Sequence, residues 1–227
     1  MKKFFITITI FLFFSSNLDA HISHYKDLKK IEMEIFRNNK LIGFNNYFFK
    51  TDKNELIVIN QIRIIVKLLG TTIFDIEGYG EEQYSNGKLI SFNSKTKQNK
   101  KEKFVNLKLN KKTNKFIIKG SSYSGEAELK NVIGNWWNHE LLKAESQISP
   151  VSGSLKKQVI TFVGNEKIEL YGKTYNVEHY KLKSKKKDLP ENKKLNFDIW
   201  FHKKTGLILK VKYSKMGEWE YRVKNYE

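Results

Sequence analysis

"LNFDIWFHKKTGLILKVKYSKMGEWEYRV" (Leu195–Val223) is the stretch on which the fold turns. In "LNFDIWF", Leu195, Phe197, Ile199 and Phe201 point one way, and Asn196, Asp198 and Trp200 the other. "LILKVKY" repeats this with Leu207, Leu209, Val211 and Tyr213 against Lys210 and Lys212, and "WEYRV" with Trp219, Tyr221 and Val223. A period of two marks a half-buried strand, because successive Cβ atoms leave a strand on opposite faces. The connections "HKKTG" and "SKMGE" are short and each holds a glycine, so the three runs predict an antiparallel meander.

The same signal recurs toward the N-terminus. "IEMEIFR" and "KLIGFNNYFFK" flank Asn38-Asn39, and "ELIVINQIRIIVKLLG" and "TTIFDIEGYGEEQYSNG" follow. Asn86-Gly87 turns into "KLISFNSKT"; "EKFVNLKL" and "KFIIKG" come next, then "KQVITFVG", "EKIELYG" and "KTYNVEHYKLK". The two prolines, Pro150 and Pro190, lie in polar connections, and no repeat or low-complexity linker divides the chain. About a dozen strands joined by short turns predict an all-β fold: a single strongly curved antiparallel sheet, a half-barrel or β-roll. One stretch departs from alternation. "VIGNWWNHELLKA" (Val132–Ala144) has helical spacing, with Asn138 as cap and Glu140 in the first turn, so a short helical segment is expected near 132–144.

Residues 1–20 read as a leader. Lys2 and Lys3 precede an apolar run from Phe4 to Phe14, and Leu18 and Ala20 occupy the −3 and −1 positions of a signal-peptidase site. That run is shorter than the ~20 residues a spanning helix needs. The expectation is cleavage after Ala20, export to the periplasm, and one β domain over residues 21–227 without a transmembrane segment. The chain has no cysteine, which excludes disulfides, a lipoprotein anchor and thiolate chemistry. Its formal charge is +18. Export argues against nucleic acid as the partner and for anionic lipid or another anionic envelope component. Lysine enrichment by compositional drift accounts for the same charge without any partner.

"YSNGKLISFNSKTKQNKKEKFVNL" and "GNEKIELYGKTYNVEHYKLK…NFDIWFHKKTGLILKVKYSKMGEWEYRV" resemble a family of exported bacterial proteins known as a domain of unknown function, the 6134 type, with the related 3108 type beside it. The resemblance runs from about Tyr25 to Val223, and the middle tryptophan segment is part of it. It implies a curved antiparallel sheet like the half-barrels of periplasmic lipoprotein carriers, and it implies no activity. The chain departs from the pattern at Lys100, where the family has glycine, and in the lysine-rich loop "KSKKKDLPENKK".

The residues that could carry chemistry are few. "HELLK" begins like a zinc-protease helix, but Lys143 stands where a second histidine ligand is needed. His139 and Glu140 therefore read as a solvated or packing pair, and His179 as a hydrogen-bonded sheet residue. A free amino group at His21 with His24 nearby could hold copper, yet chain ends fray, and no metal or cofactor is expected. Asp75 with Glu77, or Glu81 with Glu82, could make acid–base pairs; cross-strand ion pairing is the simpler account. No set of nucleophile, base and orienter converges, so the chain reads as non-enzymatic. Trp136, Trp137 and His139 are the candidate site, as a plug across the sheet or the lid of a ligand, with one tryptophan in the core and the other at an edge.

Overall fold

The structure, a computed structural model, describes Tyr25 and residues 27–227. The leader, His21 and His24 lie outside the described residues. The first half of the fold comprises β1 (Lys30–Arg37), β2 (Lys40–Asp52), β3 (Glu55–Leu68), β4 (Thr71–Ser85), β5 (Lys88–Gln98), β6 (Lys101–Asn110), β7 (Lys115–Gly120) and β8 (Ser124–Glu128). The second comprises β9 (Val132–Ile133), β10 (Ser146–Ile148), β11 (Leu155–Leu170), β12 (Lys173–Ser184), β13 (Asn196–His202), β14 (Leu207–Ser214) and β15 (Glu218–Tyr226). All lie in one sheet of order β8-β7-β6-β5-β4-β3-β2-β1-β15-β14-β13-β12-β11-β10-β9. The fold is thus all-β, one large and mostly antiparallel sheet that is not closed.

Three expectations need correction. The stretch 132–144 is not one helical segment: Val132–Ile133 is a strand, and only His139–Leu142 forms a single 3-10 turn. The sheet is not purely antiparallel, because β9 pairs in parallel with β10. "KQVITFVG" and "EKIELYG" are one strand, β11, whose register shifts between Phe162 and Gly164; the bulge mimics a break in the alternation.

The hairpin turns gather at two opposite ends. One end holds the turns at 38–39, 69–70, 99–100 and 215–217; the other holds those at 53–54, 86–87, 111–114, 171–172 and 203–206. The two sheet edges are neighbours in sequence, since only residues 129–131 separate β8 from β9. Four Cα–Cα steps span at most about 15 Å, so those edges approach at that point. Apolar packing draws them together: Ile133 of β9 and Ile148 of β10 are buried in one cluster with Phe92, Leu107, Ile118 and Ala127 from β5 to β8. Phe74 of β4 and Trp219 of β15 stand 5.9 Å apart with three strands between theirs in sheet order. A flat sheet would hold them about 19 Å apart, so the sheet is bent between them. The larger core cluster lines the inner face, and Trp137 and Leu141 enter it from the segment between β9 and β10.

Candidate ligand-binding site

The segment after β9 crosses the inner face at the end that carries the 203–206 turn. Asn138 accepts from Glu140 N–H at 3.0 Å and caps the one-turn helix. Trp136 and Trp137 precede this cap in a bend of the chain, and their side chains diverge. Trp137 is 1% exposed, edge-on to Tyr25 (5.1 Å), Phe49 (5.5 Å) and Tyr84 (5.8 Å). Trp136 is half-buried against Phe197 (5.1 Å) and Tyr221 (6.2 Å), and its N–H donates to the Tyr47 hydroxyl at 3.2 Å. His139 is not at a solvated rim. It is buried, with Nδ1 2.5 Å from the Tyr25 hydroxyl and its ring 5.4 Å from Phe201. Tyr25 also donates to the Gly206 carbonyl at 3.1 Å, which ties the segment to that end.

Sequence reasoning missed the residue at the centre of this arrangement. Glu82 is 2% exposed on the inward face of β4. Its Oε1 accepts from Trp137 Nε1 (2.8 Å) and Asn135 Nδ2 (2.5 Å), and its Oε2 accepts from the Tyr84 hydroxyl. Burial raises its pKa above the usual carboxylate range, against the lowering effect of the three donors. The alternation of "FDIEGYGEEQY" already placed Glu82 in phase with Phe74, Ile76 and Tyr84, which was the available signal.

Toward the opposite end the inner face is not filled. A cavity of about 230 Å³ lies between the tryptophan segment and the 69–70 and 215–217 turns. Its walls are Ile62, Ile64, Phe74 and Ile76 on one side and Trp136, Tyr213, Trp219 and Tyr221 on the other. Its floor is polar and internally paired: Asn45 donates to Tyr47 at 2.8 Å, and Asn60 to Asn45 at 2.6 Å. On the inward face of β4 a Cβ at Gly78 would stand 2.8 Å from Ile62 Cγ2, whereas Gly80 leaves a notch in which a Cβ would make ordinary contacts, 3.4 Å from Phe92 Cε2 and 3.8 Å from Asn60 Cβ.

A larger concavity lies elsewhere. An open groove of about 870 Å³ runs over β2–β6, edged by half-exposed Phe44, Tyr79 and Phe104. Its outward row Arg63, Glu77, Lys97 and Glu102 consists of register neighbours of alternating charge, and Arg63 ion-pairs with Asp75. A broad, open surface lined by paired charges cannot desolvate a ligand as the smaller interior cavity can. Asp75 and Glu77 are thus in cross-strand ionic rows. Glu81 faces outward, where it accepts from Gln83 at 2.8 Å, while Glu82 faces inward; the two do not converge. His179 lies flat on Trp200 at 4.7 Å, with Nδ1 2.7 Å from Glu166 and Nε2 3.0 Å from Asp198. Both nitrogens are engaged by different carboxylates, as befits a sheet-stapling residue.

A sheet bent around an apolar interior, stopped by a tryptophan segment at one end, defines a class of β-barrel-like proteins. The family model described as Domain of unknown function (DUF6134) matches residues 33–224, and the chain belongs to that family. Among solved structures it is similar to a β-barrel-like protein of Domain of Unknown Function DUF1849 from Brucella abortus. The match has a TM-score of 0.58 at 10% identity and covers 88% of this chain and 97% of that one. At that identity the likeness is one of fold alone. No curated protein matches.

Proposed function

We propose that the protein is an exported, non-enzymatic carrier or sensor whose sheet rolls into a half-barrel and binds the apolar part of an amphiphile. The observation that carries this reading is the interior cavity of about 230 Å³ walled by isoleucines and aromatic rings. An apolar cavity of about 150 Å³ already admits a benzene ring, so there is room for a length of acyl chain or a ring system. The floor residues satisfy one another, so an apolar chain can end against them without stranding a polar group. Tyr47 in the floor is engaged in structural bonds to Asn45 and Trp136, and Glu82 beside the tryptophan segment to three donors. That pattern favours binding over chemistry.

Native mass spectrometry of the protein purified from its own cells tests this. A bound apolar mass is expected, on a polypeptide that starts at His21 if the leader is cleaved after Ala20. Gly80→Val projects a side chain into the notch and should abolish the extra mass and the uptake of a fluorescent fatty acid. Its melting temperature without ligand should stay close to the parent's. A parent without bound mass that also takes up no fluorescent fatty acid would leave the second reading, a packed envelope assembly factor.

A further inference from the structure

The cavity lies toward the end that carries the hairpin tips 69–70 and 215–217, with Phe74 and Trp219 in its walls, and both tips hold a residue out of character for a turn. Leu69 has φ of 48° and Met216 φ of 52°, in the left-handed region. At other turns that conformation falls mostly on asparagine (Asn38, Asn86, Asn99 and Asn114), and at the opposite end also on Lys53 and on Tyr171, whose hydroxyl donates to Glu34 at 2.7 Å. Asparagine tolerates it through its short polar side chain; a bulky aliphatic does not. Leu69 is 98% exposed and Met216 85%, so packing within the fold compensates neither. Leu68 and Ile73, also exposed, widen the apolar area. The contact of Phe74 with Trp219 brings together the strands that carry the two tips, and the Arg37 Nε bond to the Met216 carbonyl (3.1 Å) anchors the second. The turns of the opposite end, "KN", "NG", "KKTN", "YG" and "KKTG", hold no aliphatic residue.

Lys40, Lys67, Lys100 and Lys215 are exposed around the same tips, and Lys185, Lys186 and Lys187 leave β12 at that end. Half-buried Lys156 has its pKa lowered, first by burial and then by the charge of Lys215, so two cations share this rim. Lysines also dress the opposite end, so charge alone does not choose a face; the aliphatic tips do. Lysine is depleted from protein–protein interfaces, whereas protruding aliphatics ringed by lysine suit the boundary between phosphate and acyl chain.

We infer that this end docks on a bilayer rich in anionic lipid, with Leu69 and Met216 entering the acyl boundary and the surrounding lysines meeting the headgroup phosphates. The inference builds on the reading of the interior as an amphiphile site, because docking would bring the cavity's end of the fold to a source of acyl chains. The chain has no cysteine, so single cysteines can be placed at will. Leu69→Cys, Met216→Cys and, at the opposite end, Lys53→Cys would each carry an environment-sensitive fluorophore. With phosphatidylglycerol vesicles the labels at 69 and 216 should shift to the blue and be quenched by lipid-borne quenchers, while the label at 53 stays unchanged. The double variant Leu69→Asn/Met216→Asn should partition at least about tenfold more weakly and melt at or above the parent temperature. Parent binding should weaken between about 0.1 M and 1 M salt. Equal responses at both ends, a double variant that binds like the parent, or a parent that ignores the vesicles would each overturn docking. Silent labels with capture of a protein partner would do the same and assign the tips to that contact. Loss of docking with the co-purifying lipid intact would leave the amphiphile reading standing; docking by a protein that retains no ligand would do the opposite.

Discussion

Trp137 and Glu82 are the residues on which the interior depends, and they fail in different ways. Trp137→Ala removes a buried ring from among Tyr25, Phe49 and Tyr84 and leaves Glu82 Oε1 with one donor fewer. Loss of a buried aromatic costs about 3–5 kcal/mol. Trp136→Ala gives up half-buried contacts and should cost about 1–2 kcal/mol. The midpoints of denaturant curves check the order; equal losses at the two positions would refute the assignment of Trp137 to the core. Glu82 makes a prediction about pH. Its folded pKa is raised above the unfolded value, so the fold holds its proton more tightly than the open chain does. The stability this contributes is present below the ordinary carboxylate pKa and is lost as pH rises through the folded value, at up to about 1.4 kcal/mol per pH unit. Glu166 and Asp198 have lowered pKa values, so their contribution vanishes only in acid and does not mask the window above about pH 5. Glu82→Gln keeps acceptors for Trp137 and Asn135 without a charge. It should flatten the decline above about pH 5, and an unchanged slope would place the titration elsewhere.

At the scale of elements, alternation located β1 to β7 and β11 to β15 because each has one face in the core and one in water. β8 escaped because "SGEAE" buries only Ala127, and β9 because two residues carry no period. The Gly164 bulge cut β11 in two on paper, since an extra residue reverses the phase of every side chain after it. The tryptophan segment was legible as an interruption, but not as a parallel strand pair followed by a capped 3-10 turn. Parallel pairing depends on which distant strand receives Ile133, and no local pattern encodes that. For the same reason the sequence left open whether His139 and Glu140 are solvated or packed: the burial of His139 depends on Tyr25, more than a hundred residues away, and on Phe201. The cavity too was beyond periodicity. Alternation says which face a residue takes, but the space between Ile62, Ile64 and Phe74 and the rings of Trp219 and Tyr221 exists only once the sheet has bent.

The whole molecule is a meander cut at an unexpected place. β1 pairs with β15 at the middle of the sheet, and the consecutive strands β8 and β9 form its two edges. Lys29 N–H donates to the Glu227 carbonyl at 2.6 Å, and Glu227 N–H to the Lys30 carbonyl at 3.1 Å, so the two ends of the sheet-forming chain touch. If Glu227 were joined to the residue before Tyr25 by about six flexible residues, and the chain opened between Lys130 and Asn131, sheet order and chain order would coincide. Every antiparallel strand pair would then be local, including β1 with β15, which now closes a loop of nearly the whole domain. Folding rates rise as contacts become more local, so this permutant should refold faster than the parent. Its stability should lie within about 1–2 kcal/mol of the parent, because the loop-closure terms gained and lost are similar. The apolar cluster that holds Ile133 and Ile148 against β5–β8 should keep the freed edges in place. Near-ultraviolet circular dichroism reports the aromatic packing around Trp137, and stopped-flow fluorescence reports the rate. A permutant without a native near-ultraviolet spectrum would mean that the link 129–131, rather than the apolar cluster, holds the two edges of the sheet together.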